Sequence, residues 1–140
     1  VAQNRLVSAL VAAGVIAIGG PAGIAWAGGP GGASSDSSVA VGTGVFIGEL
    51  VGFTGTGATN AEASASVLAQ CTAAGGVDCT VDEVTNDNLC IVSVADDNID
   101  AVAGGAGPTI EAAVADAYER AAGNNTPMTP GAPVVVSACP

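Results

Sequence analysis

Four thiols are the most reactive side chains in this chain, and their setting decides what chemistry is open to them. Cys71, Cys79, Cys90 and Cys139 form an even set. Behind an export signal, such a set is expected to meet an oxidising compartment and pair into two disulfides. The chain contains no histidine to serve a nucleophilic cysteine as a base. That removes Ser-His-Asp and Cys-His catalysis and the common zinc sites, each of which uses imidazole as base or ligand. Zinc, haem and nucleotide chemistry are therefore not expected, and no cofactor is assigned.

Carboxylates are the other chemically capable groups, 13 acids against two cations. Asp96, Asn98 and Asp100 match the first three ligand positions of a calcium-binding loop. The match then fails, with Ala101 where the sharp turn needs glycine and Gly107 where a bidentate carboxylate is required. A strand-end turn is the expectation there. Glu49, Asp82, Glu83 and Asp87 could supply the paired acids of glycoside hydrolysis. Only Trp26, Phe46, Phe53 and Tyr118 are aromatic, too few for a sugar cradle or a base-stacking platform. The glycine-rich stretches 52–57 and 104–107 precede helical patterns, where a phosphate could sit on free amides. Neither carries a P-loop lysine or a G-x-G-x-x-G spacing, so both read as strand-to-helix turns needing positive φ. Asn124-Asn125-Thr126 matches a glycosylation sequon.

Beyond residue 27 the only cation is Arg120, while all the acids lie there. Such a chain cannot neutralise a phosphate backbone or adhere to anionic lipid, so nucleic acid and anionic membrane surfaces are excluded as partners. The charge suits solubility by self-repulsion, a cationic partner or a high-salt habitat.

The elements that must position these groups follow from periodicity. Asn4-Arg5, the apolar stretch 6–20 and Ala25-Trp26-Ala27 read as a signal peptide cleaved after Ala27. Residues 28–38 read as a flexible linker and 39–140 as one disulfide-stabilised domain. Val39 to Phe53 predicts one or two strands, with a Gly/Thr loop at 54–58. A capping box, Thr59 to Glu62, opens a helix whose face is Ser64, Val67, Leu68 and Cys71, stopped at Gly75-Gly76. Strands are expected at 79–84 and, buried on both faces, at 89–95. A second helix should start near Thr109, with Ile110, Val114, Ala117, Tyr118 and Ala121 on its face and Gly123 as its stop. Val134 to Cys139 closes the chain as a strand.

An offset of 50 aligns Gly55 with Gly105, Gly57 with Gly107, Thr59 with Thr109 and Ala63 with Ala113. This points to a strand-helix-strand duplication, the alternative being chance matches in a Gly/Ala-rich chain. The fold class read from the pattern is α+β: a small sheet with two helices packed on one face, stapled by disulfides. Four cysteines allow three pairings. Cys71 ends the first helix and Cys79 opens the strand reached after the glycine turn. Cys90 begins a central strand and Cys139 ends the last one, as suits antiparallel neighbours. The expected map is therefore Cys71–Cys79 and Cys90–Cys139, with Cys71–Cys90 and Cys79–Cys139 as the rival.

CIVSVADD, GGAGPTIEAAVADAYERA and VVVSACP together resemble the C-terminal part of a family of small secreted actinobacterial four-cysteine α/β proteins of unknown function. The shared features map onto Cys90, Gly104-Gly105-Ala106-Gly107, the Ala-rich stretch 112–121 and Cys139, and the similarity spans roughly residues 45–140. The resemblance implies a secreted α/β domain and, at most, an exported factor acting on host cells. The functional expectation is a secreted, non-catalytic module that binds another protein, in the envelope or on a host. The alternative is a secreted carboxylate-based or metal-dependent hydrolase.

Overall fold

The structure, a computed structural model, describes residues 37–140. The expected signal peptide (1–27, with Ala25 and Ala27 at the cleavage site) and linker residues 28–36 lie outside the described residues.

Eight elements follow in the order β1 (Ser38–Phe46), β2 (Glu49–Gly57), α1 (Asn60–Ala73), β3 (Val77–Thr85), β4 (Cys90–Asp96), β5 (Ala101–Gly107), α2 (Ile110–Gly123) and β6 (Val134–Ala138). They build two antiparallel three-stranded sheets, ordered β2-β1-β3 and β5-β4-β6. In each sheet the hairpin is tight and the outer strands run the same way. The link between them must therefore cross over the central strand, and the helix is that crossover. The fold is α+β and disulfide-stapled, as expected. In place of one small sheet carrying both helices there are two sheets, each covered by its own helix.

Three apolar clusters define the layers. Ala40, Phe53, Ala63, Val67 and Cys71 join α1 to the first sheet. Val92, Val94, Ala113, Ala117, Ala121 and Met128 join α2 to the second. Val41, Leu50, Ile91, Ala95, Val135 and Val136 pack the two sheets face to face. The order across the molecule is helix, sheet, sheet, helix. A chain with few aromatics needs several thin layers, since small side chains fill only narrow gaps.

The halves repeat each other in detail. The helices are offset by 50 residues, and Thr59 Oγ1 accepts from Glu62 N at 3.1 Å just as Thr109 Oγ1 accepts from Ala112 N at 3.1 Å. The Glu62 carboxylate reaches one residue further than an ordinary capping box, accepting from Ala58 N at 2.9 Å. Both helices end in the same paired cap, with Gly75 N donating to Thr72 O and Gly76 N to Cys71 O in α1. In α2, Asn125 N donates to Ala122 O and Thr126 N to Ala121 O. Gly75 and Asn125 take the left-handed conformation at equivalent positions. Asn125, not Gly123, therefore stops α2, and the sequon residues serve as its cap. Even the β-bulge recurs: β3 slips opposite Val41/Gly42 and β6 slips opposite Ser93/Val94. The repeat is strand-strand-helix-strand, one strand longer than the sequence pattern suggested.

That extra strand was hidden by glycine. Residues 54–57 and 104–107 belong to β2 and β5, where a loop and a turn were expected. None of Gly52, Gly55, Gly57, Gly104, Gly105 or Gly107 has positive φ. Their role is close approach. A Cβ on Gly55 would meet Ala63 O at 2.7 Å and Val67 N at 2.8 Å, and one on Gly105 would meet Ala113 O and Ala117 N. The helices lie so near these strands that the smallest residues face them. Hence the buried stripes are Ala63, Val67, Cys71 and Ala113, Ala117, Ala121, while Leu68 is exposed and Ile110, Val114 and Tyr118 flank the contact. The linker boundary also moves, because Ser38 opens β1 and is fully buried.

Candidate functional site

Both disulfides join the residues expected, Cys71 with Cys79 and Cys90 with Cys139. The first ties the end of α1 to β3 across eight residues of sequence, beneath the Phe46 ring and with Cys71 fully buried. The second ties the start of β4 to the residue after β6, a separation of 49. Ile91 pairs with Ala138, so Cys90 and Cys139 fall side by side with Cα atoms 4.1 Å apart. No free cysteine remains among the described residues, and none is placed for nucleophilic chemistry.

The tight hairpins of the two sheets lie at one end of the sandwich, and an open cleft of about 280 Å³ runs between them. Thr43, Val45, Leu50, Asp78, Thr80 and Asp82 line it from the first sheet. Ala95, Asp96, Asp97, Asp100, Ala101 and Val102 line it from the second. Of the four acids singled out for hydrolytic chemistry, only Asp82 reaches this cleft. Glu83, its neighbour, pairs with Arg120 Nη1 at 2.5 Å, and Arg120 Nη2 contacts Asp116 at 2.7 Å. The hydrogen bond to Glu83 pushes the guanidinium pKa up and keeps Arg120 charged, with burial opposing it. Glu49 and Asp87 lie elsewhere, in the first hairpin and in the turn after β3.

The half-buried Asp82 and the buried Asp96 differ in their surroundings. Asp82 Oδ2 accepts from Thr43 Oγ1 at 3.1 Å and from Ser93 Oγ at 2.8 Å, and Oδ1 accepts from Thr80 Oγ1 at 2.9 Å. Burial pushes its carboxyl above the ordinary 3.8, and the three hydroxyls only partly offset that. Asp96 Oδ1 accepts from Asn98 N at 2.8 Å and Oδ2 from Thr129 N at 2.5 Å. Burial disfavours its charge too, but the bonds from Thr129 and Asn98 prevail and hold its pKa below 3.8. Asp96 thus pins the β4–β5 turn and the loop before β6, the structural job expected of a strand-end turn. Among the described residues no group of three or more His, Cys, Asp or Glu side chains is placed to hold a metal ion.

Sequence reading missed the cleft because it needs the two sheets face to face. The available signal was Asp78 beside Cys79, which the first disulfide anchors at the same sheet end as the Val45/Leu50 hairpin pair. Among the described residues no helix is long and apolar enough to cross a membrane. Neither family models, nor curated proteins, nor solved structures provide a match to this chain.

Proposed function

We propose that the chain is a secreted, disulfide-stapled module that acts by binding another protein, of the envelope or of a host, without catalysis. One observation carries the reading. Among the described residues the exposed large apolar side chains are Ile47, Leu68, Val77, Ile99 and Val102. All but Leu68 sit on the hairpin turns and strand ends that border the cleft. Apolar side chains gathered at one end and rimmed by charge are the usual mark of a contact surface. Ile47 is fully exposed at the tip of the first hairpin. Asp82, Asp96, Glu83, Asp116 and Arg120 are meanwhile engaged within the fold, in the Asp82 hydroxyl cluster, the Asp96 turn and the Glu83–Arg120–Asp116 set.

Two disulfides suit an extracellular protein, and the signal-peptide reading of residues 1–27 and the four-cysteine resemblance support secretion. The test is crosslinking capture from envelope and host extracts with the secreted chain and with its Ile47→Asp/Val77→Asp variant. A partner captured by the first and lost by the second, with both folded, supports the reading. Equal capture by both defeats it. The second reading, a carboxylate-based hydrolase, rests on the aspartates that converge on the cleft. Hydrolysis of glycoside or ester substrates that disappears in Asp82→Asn would favour it.

A further inference from the structure

Nothing in the fold demands a carboxylate at position 82. The bulge that presents Asp82 recurs in β6, and there the equivalent residue is Val135, fully buried in the core between the sheets. One half of the repeat thus fills this place with an apolar side chain, the other with an ionisable one.

Asp82 gathers hydroxyls from both sheets, Thr43 and Thr80 from the first and Ser93 from the second, and Thr43 and Thr80 also approach each other at 3.3 Å. Thr43 and Ser93 are buried, and the β5 backbone packs at Gly104 against the Asp82 carbonyl. The charged groups near it are all acidic or already committed. On its own strand stand Asp78 and Glu83, and from β4 and the turn after it come Asp96, Asp97 and Asp100. The facing residues Thr43 of β1 and Gly104 of β5 do not titrate. The only cation of the described residues, Arg120, is held by Glu83 and Asp116.

We propose that Asp82, Thr43, Thr80 and Ser93 form an acid-tightened latch between the two sheets. Protonated, the carboxyl is neutral and keeps its place in the Thr43–Thr80 set of the first sheet and its bond from Ser93 of the second, without a charge held between the sheets. Ionised, it adds a charge to a cleft already lined by Asp78, Asp96, Asp97 and Asp100, with no cation lining it. The three hydroxyls only partly offset that cost, and the hairpin end loosens. The sign follows from this all-acidic surround, and the raised pKa agrees with it. The folded chain binds this proton more tightly than the unfolded chain. The latch contribution is complete below pH 3.8 and is lost as pH climbs through the raised value. Asp96 acts in the opposite sense and in a separate window, since its contribution is lost only as pH falls through its lowered pKa.

Thermal melts between pH 7 and pH 4.5 on the wild-type chain, Asp82→Asn and Glu119→Gln test the latch. Glu119 is an exposed acid on α2, so its variant removes one charge without touching the cluster. The wild type and Glu119→Gln should gain melting temperature on acidification, on the order of 5 °C for a chain of this size. Asp82→Asn, a neutral mimic of the protonated state, should melt higher than wild type at pH 7 and lose most of that gain. Equal pH profiles for Asp82→Asn and Glu119→Gln would overturn the latch, leaving only relief of overall repulsion. Should Asp82→Asn fail to fold, carboxyl-carbon NMR titration of the wild type decides: a midpoint above 3.8 for Asp82 supports the latch, and one at or below 3.8 sinks it.

Discussion

The two halves of the molecule share a backbone plan and differ in what holds it. Both carry a threonine-capped helix over a glycine-lined strand, the same paired C-cap and the same bulge. Their disulfides, however, occupy unrelated places. The first half joins its helix to the strand that follows, closing a short loop. The second joins its central strand to the chain end and so encloses β5, α2 and β6. Equivalent positions have also diverged in role. Gln70 of α1 donates to Thr54 O within its own half at 2.8 Å, whereas Arg120 at the same place in α2 reaches across to Glu83 of the other half. The features that repeat are those required by helix-on-strand contact. Those that differ are crosslinks and side chains at the interface of the halves, where the two copies face each other and need not be alike.

If crosslinks are where the halves part company, removing them should have unequal effects. In the chain-entropy model the Cys90–Cys139 bridge contributes about 4 kcal/mol and the Cys71–Cys79 bridge about 2.5 kcal/mol. Paired serine replacements compared by urea denaturation should show that order, and equal losses would mean that the enclosed loop is not what matters. The close approach of helix to strand should, by contrast, be vulnerable in both halves. Gly105→Ala would drive a methyl into the α2 backbone and Gly55→Ala into that of α1. Overpacking of this kind costs roughly 3 kcal/mol at the tighter Gly105 site and roughly 2 kcal/mol at Gly55. A neutral or stabilising result at either, in the same denaturation experiment, would show that the helix can move away. The smallest difference should lie at the caps. Thr109→Ala should lower stability by about 1 kcal/mol, and Thr59→Ala by less, because Glu62 still holds Ala58 N at that helix start. Equal losses at the two caps would deny the Glu62 bond any role.

Much of this was legible along the chain because it depends on neighbours in sequence. Helix starts at Thr59 and Thr109, the buried run of β4 and both cysteine pairs follow from capping chemistry, a continuous apolar run and antiparallel return. The offset of 50 already contained the repeat. Glycine was misread, since Gly55 and Gly105 resemble turn residues until a helix is seen lying against them. Helix faces were misread for the same reason. Periodicity selects the largest apolar side chains, such as Leu68 and Tyr118, but close packing turned alanines inward.

By itself the sequence determined the helices, the staples, the absence of imidazole chemistry and the acidic surface, all of which depend on residue type and short-range geometry. Only the tertiary structure decided that there are two sheets, that their hairpin ends enclose a cleft, and that Asp82 stands between them with hydroxyls on both sides. Those outcomes rest on contacts between residues far apart in sequence, Thr43, Asp82 and Ser93 among them, which no local pattern can register. A buried carboxylate and an exposed one are the same letter in a sequence, and the difference lies in what folding places around it.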